Sequence, residues 1–174
     1  MSFKLTLKSP ISHTSTDTDL FASSQKLDIQ LPKAYQDFVK EYGYGLTCGL
    51  FIIYSPLGKH DGLFSRSNTL KQELIDSVQS GFIYYQPDGS PELVQRLAPF
   101  GYSENADILA WDPKSPSEPG EYWIYLIGSR KFEVRKVVAN LTEFLEKAIK
   151  PGISGMLGQA DFQLEPTFEP WAIH

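Results

Sequence analysis

Between Ala98 and Val138, four short runs rich in β-branched and aromatic residues follow one another with only brief interruptions, and this succession constrains the fold most strongly. The runs are Ala98 to Tyr102, Ala106 to Trp111, Glu121 to Ile127 and Phe132 to Val138. Ser103-Glu104-Asn105, the Pro-rich DPKSPSEPG and Gly128-Ser129-Arg130 separate them. Each run reads as a strand. None of the breaks leaves room for the crossover helix of a parallel pair, so strands adjacent in sequence are expected to pair antiparallel.

Helical patterns flank this meander. Leu31 and Pro32 open the first, since proline in a first helical turn gives up no needed hydrogen bond; Tyr35, Phe38, Val39 and Tyr42 follow at helical spacing until Gly43. Leu50 to Tyr54 reads as a short buried strand. Leu70, Leu74, Ile75 and Val78 make one apolar stripe, which predicts a helix from Asn68 or Thr69 to Gly81. Phe82 to Tyr85 fits helix and strand equally, Pro87-Asp88-Gly89 is a turn, and Pro91 to Leu97 suits a short helix. Asn140 begins a last helix, with Glu143 completing a capping box, Leu141, Phe144, Leu145 and Ala148 on its apolar face and Gly152 beyond its end.

The expected division is an N-terminal arm over residues 1–29 with one short ordered piece, a domain over 30–152, and an irregular tail over 153–174. The tail has no Lys or Arg, and Phe162, Phe168 and Trp171 anchor it on the domain, because large aromatics are costly to leave in water. A partner-binding tail is the alternative.

A chain of 174 residues suits one domain, and surface scaling implies that about 70% of its unfolded surface is buried on folding. The longest apolar runs, Leu50 to Tyr54 and Tyr122 to Ile127, fall far short of the roughly 20 residues of a membrane helix. The start, MSFKLTLKSPISHTS, lacks a signal peptide's apolar core, and the single Cys48 gives no disulfide framework; the cytoplasm is the default compartment. A formal net charge of −5 argues against nucleic acid as the main partner, because phosphate binding draws on clustered Lys and Arg.

Patterns that carry chemistry are sparse. His13, His60 and His174 fall in the arm, in a turn and at the last position, none a rigid seat for catalysis. HExxH, paired cysteines and G-x-S-x-G are all missing, so no metal, cofactor or nucleophile site can be named. Cys48 reads as a small apolar residue leading into a strand. The glycines of Tyr42-Gly43-Tyr44-Gly45 follow a helix rather than lead into one, which fits a helix cap and tight turn better than a phosphate cradle. Tyr42 and Tyr44 at that corner are candidates for core packing or for contact with a protein partner.

One charge pattern stands out. Glu104, Asp107, Asp112, Glu118 and Glu121 face a lone Lys114, and Arg130, Lys131, Arg135 and Lys136 follow. These carboxylates either gather into an acidic rim that steers a basic partner, or form a solvated face paired across strands with the basic cluster. On the first reading Tyr44, Glu104, Asp107, Asp112, Glu118 and Glu121 are the candidate partner-binding residues.

Leu31-Pro32, Tyr35, Phe38 and Tyr42-Gly43, followed by a turn and an aliphatic strand, resemble the opening of SUKH-superfamily domains, in the branch of the yeast cell-wall regulators Smi and Knr. Phe100-Gly101, Asn105 to Leu109 and Trp111-Asp112 resemble the segment in which a Gly/Asp-containing turn enters a strand, although Ala106 stands where glycine is usual. Asn140 to Ile149 resembles the closing helix. The likeness covers about residues 30–150, with DPKSPSEPG and the tail as additions. It implies an α+β domain, a twisted, largely antiparallel sheet packed by helices, without catalysis or cofactor.

The resemblance also implies a bacterial role as an immunity protein that neutralises a cognate toxin, often a nuclease; the expected partner is thus a basic toxin domain, with neither nucleic acid nor membrane bound directly. The family's eukaryotic members suggest a regulatory or scaffold protein of cell-wall synthesis signalling instead. A small hydrolase or ligand-binding protein is a third possibility, and it requires a deep pocket joining a histidine to carboxylates.

Overall fold

The computed structural model describes residues 4–60, 62–130, 133–150 and 163–174. Phe132 at the expected start of the last meander strand, Lys131 of the basic cluster, Gly152 beyond the last helix and Phe162 of the tail lie outside them. In chain order the elements are β1 (Thr6–Leu7), α1 (Asp17–Leu27), α2 (Lys33–Glu41), β2 (Gly45–Thr47), β3 (Phe51–Ile53), α3 (Leu63–Gln79), α4 (Pro91–Arg96), β4 (Ala98–Ser103), β5 (Ile108–Glu118), β6 (Glu121–Ile127), β7 (Val134–Val138), α5 (Leu141–Ala148) and β8 (Thr167–Pro170).

The strands form one open sheet in the order β1-β8-β2-β3-β4-β5-β6-β7. Every pairing is antiparallel except that of β1 with β8. The meander β4 to β7 thus follows from its short breaks, and the protein is an α+β fold with a largely antiparallel sheet.

Aromatic side chains join helices to sheet. On α2, the Tyr35 ring meets Trp111 edge-on at 5.0 Å, while its hydroxyl donates to the Tyr54 carbonyl at 2.6 Å. Phe100 stacks on Trp111 at 4.2 Å. From α5, Phe144 meets Phe51 at 4.9 Å. Tyr35, Phe51, Phe100, Trp111 and Phe144 are all fully buried, and truncating any of them to Ala would cost about 3–5 kcal/mol. Asp112, the next residue after Trp111, projects the other way by strand alternation and meets Arg96 of α4.

Four segments differ from the sequence-based expectation. Helix α3 starts at Leu63, earlier than Asn68 or Thr69, because Leu63 and Ser67 extend the buried stripe of Leu70 and Leu74 by one more turn, and the polar Ser67 conceals the period. DPKSPSEPG is mostly strand: β5 continues to Glu118, with Pro116 opposite Tyr122. Beyond Trp111 this part of β5 has β6 on one side and no pairing to β4 on the other, so prolines there break no ladder hydrogen bond.

The third difference lies in the first thirty residues, where α1 is closed by a capping box between Thr16 and Asp19. It buries only Leu20 and Ser23, too few for an apolar period to show. The last is in the tail, where β8 pairs with both β1 and β2 and Phe168 is fully buried against Phe38 and Tyr42. The close approach of β8 relies on Gly45, where a Cβ would lie 2.2 Å from the Glu169 carbonyl oxygen.

Candidate protein-binding surface

The turn between β5 and β6 serves as the cap of a helix distant in sequence. Pro32, at the N-cap of α2, carries no side-chain acceptor, so the free N–H groups of the first turn must find partners elsewhere. The Lys33 N–H donates to the Gly120 carbonyl at 3.1 Å, and the Ala34 N–H donates to Glu121 Oε1 at 2.7 Å. A carboxylate is well placed there, at the positive end of the helix dipole. Glu121 is only 7% exposed. Burial pushes its carboxyl above the ordinary range; the Ala34 N–H opposes this, Glu118 and Asp37 add to it and Lys33 subtracts. Its second oxygen, Oε2, is buried without a hydrogen-bond partner among the described residues.

Beside this turn begins α5. Asn140 accepts from the Glu143 N–H at 2.9 Å, the N-cap bond anticipated from the sequence, whereas Glu143 Oε2 accepts from the Ala139 N–H at 2.9 Å, one residue before the N-cap, so the reciprocal half of the expected capping box is displaced by one residue. Asn140 also donates to Glu118 Oε1 at 2.6 Å and so ties the β5–β6 turn to the helix. Between the first turns of α2 and α5 lies an open groove of about 400 Å³, lined by Asp37, Glu121, Glu143 and Glu146 against one cation, Lys33, with Ala34, Asn140 and Thr142. Lys33 pairs with Asp37 at 2.7 Å, and Lys147 with Glu143 at 2.8 Å.

The six candidate residues do not form one rim. Strand β5 spans about 35 Å, with Glu104 and Asp107 before one end and Glu118 and Glu121 at the other. Glu104 is exposed in the β4–β5 turn. Asp107 is buried, accepting from the Ser103 hydroxyl at 2.7 Å and from the Ser129 N–H at 3.0 Å, so it stitches that turn to the β6–β7 loop. Asp112 is fully buried and takes a two-point contact from Arg96, at 2.8 Å to each oxygen, plus the Lys114 N–H at 3.1 Å. Burial pushes its carboxyl up, but the Arg96 and Lys114 hydrogen bonds hold it below the usual carboxylate range. Tyr44 is half-buried, its ring edge-on to Trp171 at 5.9 Å. Of the basic cluster, Arg135 pairs with Glu133, and Lys136 lies 3.9 Å from the centre of the Trp123 ring.

The groove therefore joins Glu121, with Glu118 beside it through Asn140, to residues that no sequence pattern groups with them. Asp37 lies on one helix and Glu143 and Glu146 on another far along the chain; Pro32 and the capping pattern at Asn140 mark the two helix starts, but no pattern places them side by side. His60 is exposed, not buried beside Asp107, which is itself buried. Among the described residues no group of three or more His, Cys, Asp or Glu is placed to hold a metal ion, and no helix is long and apolar enough to cross a membrane. Burial pushes the Cys48 thiol up to about 12, which leaves it protonated at neutral pH.

A comparison with curated proteins finds no match. The model of the SMI1 / KNR4 family (SUKH-1) matches residues 14–147, a span that opens two residues before the N-cap of α1 and closes within α5. With α1 to α4, β2 to β7 and all but the last residue of α5 inside that match, the chain belongs to the SMI1 / KNR4 (SUKH-1) family.

Proposed function

We propose that this chain is a non-catalytic immunity protein that binds and neutralises a cognate bacterial toxin, whose contacting domain is basic, within the cytoplasm. Family membership supports a role in protein–protein interaction. The observation that carries the charge of the partner is the groove, where four carboxylates face one ammonium on a chain with a net charge of −5. Such a field raises the rate at which a cationic surface finds its site. Glu118 and Glu121 serve the contact at the groove, Glu104 extends the field at the far end of β5, and Tyr44 offers an aromatic edge beside Trp171. Asp107 and Asp112 act indirectly, by fixing the turns and strands that present the others.

Co-expression with the toxin encoded beside this chain's gene tests the reading. Cells are expected to survive with the wild-type chain and to die when Glu118 and Glu146 are both changed to Lys. Death with the wild-type chain at full expression would refute the immunity role, and co-purification with a cell-wall enzyme that remains active would favour a scaffold instead.

A further inference from the structure

Among the described residues the most exposed large apolar side chain is Phe82, at 73%, and Tyr84 close by is 58% exposed. Both follow the end of α3. Gly81 takes a φ of 71°, its N–H donates to the Val78 carbonyl at 3.2 Å, and the Phe82 N–H donates to the Ser77 carbonyl at 3.0 Å. A helix stop of this kind frequently sets an apolar side chain at the Phe82 position against one in the last turns of the helix. Here Ser77 and Asp76 occupy the receiving positions, so the stop gives the ring no apolar neighbour of that kind. Ile83, between the two rings, is buried and holds the backbone that carries them. Aromatics presented on an anchored backbone lose little freedom on binding, and aromatics are enriched among the residues that carry binding energy.

The charge beside the rings has one sign. The carbonyl end of a helix favours a cation, yet the last turn of α3 has no basic residue and carries Asp76, with Glu73 three residues before it, both exposed. Asp76 accepts from a neutral donor, Gln72 Nε2, at 2.8 Å. From Gln72 to Gln95 the chain holds Glu73, Asp76, Asp88 and Glu92 and no Lys or Arg.

We propose that Phe82 and Tyr84 form a docking surface for an arginine-bearing segment of a protein partner, on residues that the groove does not share. A guanidinium stacks on aromatic faces and is weakly hydrated, and its positive charge meets the field of Asp76, Glu73 and the carbonyl end of α3. The same acids repel an anionic lipid surface and nucleic acid phosphates. A second copy of this chain is the poorer fit, because its own net charge is −5.

The test is an amide NMR titration of the full chain with acetyl-Gly-Arg-Gly-Arg-Gly-amide, alongside the same peptide with citrulline in place of both arginines. The arginine peptide is expected to shift the amides of Gly81, Phe82, Ile83 and Tyr84 and to saturate. The citrulline peptide should bind there roughly tenfold more weakly, since it keeps the shape and loses the charge. Phe82→Leu keeps an apolar side chain but removes the π face, and should lose roughly threefold to fivefold. Asp76→Lys supplies the cation that the end of α3 lacks, so it should weaken the peptide by a similar factor without lowering the unfolding temperature. Both substitutions fall on exposed side chains. No saturable shift at residues 81–84, equal binding of the two peptides, or unchanged binding by Phe82→Leu would each overturn the surface. Shifts of the same amides on changing the protein concentration without peptide would assign the rings to a self-contact and overturn it as well.

Discussion

Removing Arg96 is expected to destabilise the protein more than removing Asp112, although the two form a single contact. The carboxylate is buried, at 1% side-chain exposure, while the guanidinium is 36% exposed. Arg96→Ala leaves a negative charge in the sheet with one remaining donor, the Lys114 N–H. Breaking a buried pair in this way costs about 3–5 kcal/mol; Arg96's exposure admits some water, which sets the lower end, about 3 kcal/mol, as the expected value. Asp112→Ala releases a cation that can turn to solvent and leaves only the Lys114 N–H unpaired, a cost of about 1–2 kcal/mol before any packing loss. Urea unfolding at pH 7 measures both, and the double variant should fall closer to Asp112→Ala than to the sum of the two. For a chain this long, 3 kcal/mol corresponds to roughly 6–12 °C in Tm. A larger loss for Asp112→Ala, or a loss below about 1 kcal/mol for Arg96→Ala, would refute the argument that the stranded charge dominates.

Other perturbations probe the remaining parts of the fold. The fold raises the Glu121 carboxyl, so its contribution to stability is greatest below the ordinary Glu value of 4.5 and is lost as pH rises through the raised value; the stability of Glu121→Gln relative to wild type should therefore increase from acid to neutral pH, and a flat or falling difference in urea titrations would contradict this. Gly45→Ala drives a Cβ into the Glu169 carbonyl and should cost roughly 2–3 kcal/mol. Hydrogen exchange should then speed up first at the Cys48 and Trp171 amides, which bond Thr167 and Tyr44 across the β2–β8 seam. Ala106 sits at φ 69, a left-handed conformation, so Ala106→Gly should be neutral or stabilising by up to about 1 kcal/mol, the opposite of the usual effect of glycine, as thermal unfolding can show. Native Cys48 should resist thiol reagents at pH 8 and react only at the rate of opening, and a fast stoichiometric reaction would contradict its burial.

Local rules carried much of the architecture. The meander follows from four apolar runs and their short breaks, α5 from the capping pair Asn140 and Glu143, and α2 from proline at its first turn. Where a rule needs a run of apolar residues it failed on short elements: β2 has three residues and β8 four, and each exists because the other completes it. Prolines in β5 misled because a proline forbids a strand only where its missing N–H is needed, and whether that edge is paired depends on how far β4 extends. The site was less readable still. Asp107, Asp112 and Glu121 look like solvent-facing acids in sequence, but their hydrogen-bond partners lie up to 87 residues away in the chain. That separation turned two of them into struts and one into the cap of a distant helix beside a groove. The backbone at position 106 takes a positive φ, a conformation that suits glycine better than the alanine found there.

The central claim is that the acidic groove grips a basic toxin domain. Residual activity of the purified toxin, titrated with this chain at rising ionic strength, measures it most directly. The account predicts stoichiometric inhibition at low salt, an association rate that falls steeply as salt is added, and loss of inhibition in Glu118→Lys/Glu146→Lys. Full toxin activity at saturating chain, or inhibition untouched by both salt and charge reversal, would contradict it.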